Sequence, residues 1–119
     1  EYIREFVRGI FYESFVDDLG PQFNELVKNW VQNSPEGVIS ALQAMLSRTD
    51  TTEFLTKCPL PVLFICGEYD PVTPPSVMKE LMRITPGSEY FEVKEASHMA
   101  PLENYQDFNK KVLEFLARI

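Results

Sequence analysis

The chain has 119 residues, 45% of them hydrophobic and 13% aromatic, enough for one domain with a modest core. Its formal charge of −7 argues against nucleic acid and against anionic membrane surfaces, since both call for a basic face. No apolar run approaches the roughly 20 residues that span a bilayer, and no signal peptide opens the sequence.

In chain order, the first 55 residues carry apolar positions at helical spacing. Ile3, Phe6, Val7, Ile10 and Phe11 predict one helix, Phe23, Leu26, Val27 and Trp30 a second, and Val38, Ile39, Leu42, Met45 and Leu46 a third. Gly20 in "LGP" suits a helix end, and Ser34 before Pro35 reads as an N-cap followed by a proline in the first turn. The composition changes character near residue 56, and from residue 59 the pattern becomes strand, helix, strand, helix. "PVLFIC" at 61–66 is a continuous apolar run bounded by proline and glycine, the mark of a strand buried on both faces. Thr73 with Pro74 starts a helix carrying Val77, Leu81 and Ile84, which "TPGS" ends at 85–88. "EYFEV" at 89–93 is a second, alternating strand, and the last helix begins near Tyr105 with Phe108, Val112, Leu113, Phe115 and Leu116 as its stripe. The fold class is therefore α/β, with a helical segment over 1–55 and a β-α-β-α unit with two parallel strands over 56–119. Cys58 and Cys66 suggest neither a disulfide framework nor a zinc site and read as buried thiols in a reducing, cytoplasmic setting.

Two parallel strands cannot satisfy their outer edges or cover both faces. "PVLFIC" looks central, so further strands are expected beside it, from a missing N-terminal half, a second chain or a symmetry mate. The absence of a methionine before Glu1 points the same way, to a cut from something longer. A homodimer or larger assembly follows as an expectation, because the uncovered strand edge invites pairing.

In an open parallel sheet, ligands gather beyond the carboxyl ends of the strands. Asp70 lies just past the first strand and His98, the only histidine, just past the second. Loops leaving adjacent parallel strands about 4.8 Å apart can bring a carboxylate and an imidazole into hydrogen-bond range. An aspartate accepting from one ring nitrogen fixes the tautomer and frees the other nitrogen as a general base.

"PVLFICGEYDPVTPP", its spacing to "ASHMAPLENYQDFNKKVLEFL", and the helices before them resemble the C-terminal half of an α/β-hydrolase, from the lid helices to the last helix. The resemblance covers nearly the whole chain and is greatest to soluble esterases, lactonases and perhydrolase-type members. In these the acid often stands in G-E-x-D-x-x-x-P and the base in G-x-G-H-x-x-x-x-E. It implies a partial α/β-hydrolase fold, Asp70 as triad acid, His98 as base, a small acyl substrate such as an ester or lactone, and no metal or organic cofactor. Ala96 and Ser97 depart from the small or glycine residues usual before the histidine. The nucleophile elbow G-x-S-x-G has no counterpart, since the glycines stand at 9, 20, 37, 67 and 87. The nucleophile is thus expected upstream, in another chain, or nowhere; in the last case the chain would be a non-catalytic interaction or assembly module.

Plainer readings stand beside these. Asp70 before Pro71 can simply cap a turn, and an isolated histidine is often structural. Glu68 reads as a loop-bonding or solvated acid, and Glu103 as the start of the last helix, where acids suit the N-terminus. Cys66 is flanked by Phe64 and Glu68 where an elbow needs glycines, so it reads as core. Phe6, Phe11, Tyr12, Phe15, Phe23 and Trp30 are helix packing or the apolar lining of a lid.

Overall fold

The structure, a computed structural model, describes residues 2–119, with side chains from Arg4 onward. Glu1 and the side chain of Ile3, expected on the first apolar stripe, lie outside the described residues. Five helices precede the first strand: α1 (Tyr2–Gly9), α2 (Glu13–Leu19), α3 (Pro21–Val31), α4 (Pro35–Leu46) and α5 (Thr52–Thr56). Then come β1 (Leu63–Gly67), α6 (Pro75–Ile84), β2 (Glu89–Val93), the one-turn α7 (Ala100–Glu103) and α8 (Tyr105–Leu116). No helix among the described residues is long and apolar enough to cross a membrane.

The helical segment departs from the expected three helices, and the reason is local. The first stripe does not continue as one helix through Phe11: α1 stops at Gly9 and closes with tight turns, Ile10 N–H to Val7 O and Phe11 N–H to Arg8 O, both 3.3 Å. Ile10 and Phe11 are nonetheless buried, so the hydrophobic spacing located the core but not the helix end. α2 then delivers Val16 to the same cluster as Val7, Ile10, Phe11, Phe23 and Val27, with Phe15, Leu19, Leu26, Trp30 and Met99 packed around it. Phe11 stacks on Phe15 at 5.7 Å and meets Phe23 edge-on at 6.4 Å. Gly20, at φ 51, joins α2 to α3 without a linker, a backbone angle that disfavours any side chain. Ser34 caps α4 by accepting from Gly37 N–H at 3.0 Å, as its sequence context predicts.

α4 has no buried residue, and its stripe of Val38, Ile39, Leu42, Met45 and Leu46 faces outward, as do Leu113 and Leu116 of α8. Phe6 is exposed as well. Their spacing predicts inward-facing stripes, and here these side chains are exposed.

β1 and β2 pair in parallel, in register from Leu63 opposite Glu89 to Gly67 opposite Val93. The α6 crossover joins them, the connection that parallel neighbours require. A second cluster of Val93, Ala96 and Ala100, with Ile65, Phe91 and Phe108 against it, lies on the α8 side. Met99 belongs to the first cluster, so the turn after His98 touches the helical segment while its neighbours touch the sheet.

At the end of β1, a Cβ on Gly67 would stand 2.1 Å from the Ser97 carbonyl oxygen and 2.5 Å from that of Ala96. Only glycine permits this approach. Gly67→Ala is therefore expected to cost about 1–3 kcal/mol or more, whereas Gly9→Ala, with nothing within 4 Å, should be neutral or slightly stabilising. Urea unfolding midpoints of the two variants measure the contrast; equal midpoints would show that the strand ends can part at little cost.

Candidate active site

Two loops leave the same end of the sheet and are bound together before either reaches its polar residue. Glu68 N–H donates to Val93 O and Tyr69 N–H to Ala96 O, each at 2.9 Å, so the pairing continues past the strands. Ser97 Oγ donates to Tyr69 O at 3.2 Å. Glu68 braces the second loop through Lys94, at 3.0 Å, and accepts from Glu95 N–H at 3.4 Å. That loop needs bracing: Glu95 holds φ 52, a left-handed conformation that costs a non-glycine residue about 1–2 kcal/mol.

Asp70 and His98 meet across this junction. His98 Nδ1 lies 3.1 Å from Asp70 Oδ1 and 3.0 Å from Oδ2. The aspartate is buried, and its carboxylate is filled from its own turn. Oδ1 accepts from Val72 N–H at 2.8 Å and Thr73 N–H at 2.9 Å, and Oδ2 from the Thr73 hydroxyl at 2.8 Å. The turn-capping reading and the imidazole-facing reading are thus both realised by one side chain. Burial pushes the carboxyl pKa up, but the hydrogen bonds from Thr73, His98 and Val72 outweigh it and hold the group below the usual aspartate range. Ionised, Asp70 can only accept, so the proton of a neutral imidazole sits on Nδ1 and the Nε2 lone pair is free. Nε2 makes no hydrogen bond among the described residues, and the His98 side chain is 35% exposed. Such a pair can take a proton from an acidic group placed at Nε2 and hold the resulting imidazolium.

The other polar residues sort themselves by environment. Cys66 is buried in β1 with Sγ 3.4 Å from the Tyr90 hydroxyl, and burial pushes the thiol pKa up, the opposite of an activated nucleophile. Glu103 does not begin the last helix: Asn104 does, its side chain accepting from Asp107 N–H at 3.3 Å. Glu103 ends α7 instead, and its two carboxylate oxygens accept from the amides of Tyr12 and Ser97. Sequence reasoning missed this because both partners are backbone amides, one of them 91 residues away. His98 is held from the same direction, its N–H donating to Ile10 O at 3.1 Å. Two concavities flank the junction. One of about 280 Å³ is polar, lined by Tyr12, Asp18, Glu95 and Glu103 among others; the other, about 370 Å³, is apolar, formed by Phe11, Phe15, Leu19, Leu26 and Leu102 with the amides of Gln22 and Asn29 at its rim. Neither is lined by His98 itself, although Leu102 and Glu103 come from the helix that follows it.

A family model described as alpha/beta hydrolase fold matches residues 7–105. The chain is 33% identical over 108 residues to 3-oxoadipate enol-lactonase 2 of Acinetobacter baylyi, covering 91% of this chain and 40% of that protein. It is 28% identical over 87 residues to pimeloyl-[acyl-carrier protein] methyl ester esterase of Vibrio vulnificus, covering 73% and 34%. Its fold matches a thermophilic esterase from Thermogutta terrifontis with a TM-score of 0.88 at 25% identity, over 98% of this chain and 43% of that one. The chain thus spans well under half the length of these relatives.

The depressed carboxyl pKa gives the pair a pH signature. Because Asp70 has a lower pKa folded than unfolded, its ionised form stabilises the fold above the unfolded value of about 3.9, and this contribution is lost as pH falls through the folded value. Asp70→Asn turns an amide toward the Val72 and Thr73 donors and should cost about 1–3 kcal/mol at pH 7. It should also flatten the loss of stability below pH 4. Thermal melts from pH 2 to 7 test both, and parallel curves for the two proteins would contradict the assignment.

Proposed function

The chain belongs to the α/β-hydrolase fold family, and on that premise we propose that it supplies the acid and base of a hydrolase acting on an ester, lactone or similar acyl compound. The observation that carries this reading is the Asp70–His98 contact at 3.0 Å, with Nε2 left open. In the proposed mechanism a serine Oγ attacks the acyl carbonyl while His98 Nε2 takes its proton. His98 then returns that proton to the leaving oxygen, and Asp70 holds the imidazolium throughout. Water repeats the cycle on the acyl-enzyme. No G-x-S-x-G occurs in these 119 residues, so the serine is proposed to come from polypeptide outside them. The names of the relatives, an enol-lactonase and two esterases, support the substrate class. The apolar groove of Phe11, Phe15, Leu19, Leu26 and Leu102 suits a neutral, apolar portion of that substrate.

With an N-terminal α/β-hydrolase segment bearing the elbow, fused or added, the chain should give a burst of acyl-enzyme from an activated ester. His98→Ala and Asp70→Asn should each lower kcat by about 10⁴-fold. Full turnover by either variant would end the proposal, and a pair of segments that stays inert would favour the interaction-module reading. The free edge of β1 and the outward apolar residues of α4 and α8 support a second element of the same proposal, that this edge is covered by further strands or by another copy. The chain by itself should then run as an oligomer in size-exclusion chromatography with light scattering; a folded monomer at micromolar concentration would count against self-pairing.

A further inference from the structure

The carboxylate of Glu103 lies where three segments of the chain converge, and the turnover scheme above gives it no task. One oxygen accepts from Tyr12 N–H, at the turn between α1 and α2. The other accepts from Ser97 N–H at 2.8 Å, in the residue that precedes His98. Parallel ties join the same segments. Ile10 O accepts from His98 N–H at 3.1 Å, and the Tyr12 ring stacks on Tyr69 at 5.1 Å and 7°, next to Asp70. The residues 10–12 are therefore fastened to both loops that carry the pair, and Glu103 is the only side chain among these ties that reaches the helical turn and the histidine loop together.

A half-buried carboxylate committed to two backbone amides needs a reason. The second loop is held in an unfavourable conformation at Glu95, and a loop under strain relaxes unless other contacts over-determine it. Ser97 is buried, and its amide has no strand partner, so without Glu103 this donor would be orphaned beside the imidazole. Partial burial pushes the Glu103 carboxyl pKa up, with the Tyr12 and Ser97 amides opposing it.

We propose that Glu103 is a positioning residue: by holding the Ser97 amide and the Tyr12 amide on its two oxygens, it sets His98 against Asp70 and couples that setting to the start of the α2 helix. It touches neither substrate nor the reacting atoms. This inference rests on the hydrolase reading for its purpose, but its test does not require turnover. The chain has one histidine, so a single imidazole appears in its nitrogen-15 NMR spectrum.

In the unaltered chain, with the imidazole in its neutral form, the ring shifts should report a fixed Nδ1–H tautomer. Glu103→Gln places an amide group against one of the two donors, and the ring should move toward the tautomer mixture of free histidine, with circular dichroism unchanged. Tyr12→Pro reaches the same contact from the other side, removing the N–H at a position whose φ of −67 already suits proline. It should shift the ring in the same direction, while Tyr12→Ala, which keeps the N–H, should do so less. A folded Glu103→Gln or Tyr12→Pro protein with the tautomer intact would overturn the proposal and leave Glu103 a stability element only. If Glu103→Gln does not fold, the Tyr12 pair decides between the same outcomes. Loss of tautomer control without any esterase activity in the completed enzyme would sink the hydrolase reading and leave the positioning role standing.

Discussion

The close approach of Gly67 to the loop after β2 is the constraint from which the rest of the site follows. Parallel pairing brings the two strand ends to one edge, but only the missing Cβ lets the chain after β1 lie against the Ala96 and Ser97 carbonyls. From there the hydrogen bonds of Glu68 and Tyr69 to Val93 and Ala96 carry the pairing two residues past β1 and three past β2. Asp70 and His98, which are 28 residues apart in sequence, then meet with little freedom left to either.

Within that junction the electrostatics of the Asp70 carboxylate are arranged by backbone and hydroxyl donors together with the His98 imidazole. Asp70 is desolvated, which alone would favour its neutral form, yet three donors from its own turn and the imidazole keep it ionised. Cys66, only four residues earlier, shows the opposite balance: burial with one weak partner leaves a thiol and no nucleophile. A difference of a few hydrogen bonds separates a group available for proton transfer from one that only fills space.

The helical segment is tied to this junction more closely than a loosely hinged lid would be. Ile10, Tyr12 and Met99 link the first hydrophobic cluster to the histidine loop through backbone bonds and packing. The apolar faces of α4 and α8 remain outward, so the energetic account of this chain is divided unevenly: well packed around the site, sparse at its periphery. The expected division between residues 55 and 56 falls inside α5.

Much of this could be read from residues in order. The apolar run before Gly67, the alternation of "EYFEV", the capping pair Ser34–Pro35 and the placement of Asp70 and His98 just beyond strand ends all follow from local periodicity and turn chemistry. Local signals act within a few residues, so the sequence by itself determined the α/β class, both strands, their parallel sense and the candidate pair. What only the tertiary structure decided lies in contacts between distant backbone atoms. After α1 ends at Gly9, Ile10 O and Tyr12 N–H bond to loops some 90 residues away, and the Tyr12 bond, with that from Ser97, turns Glu103 from an expected helix start into a clasp. A backbone amide is alike at every position and leaves no mark on residue type, so its partner becomes legible only once the chain has folded.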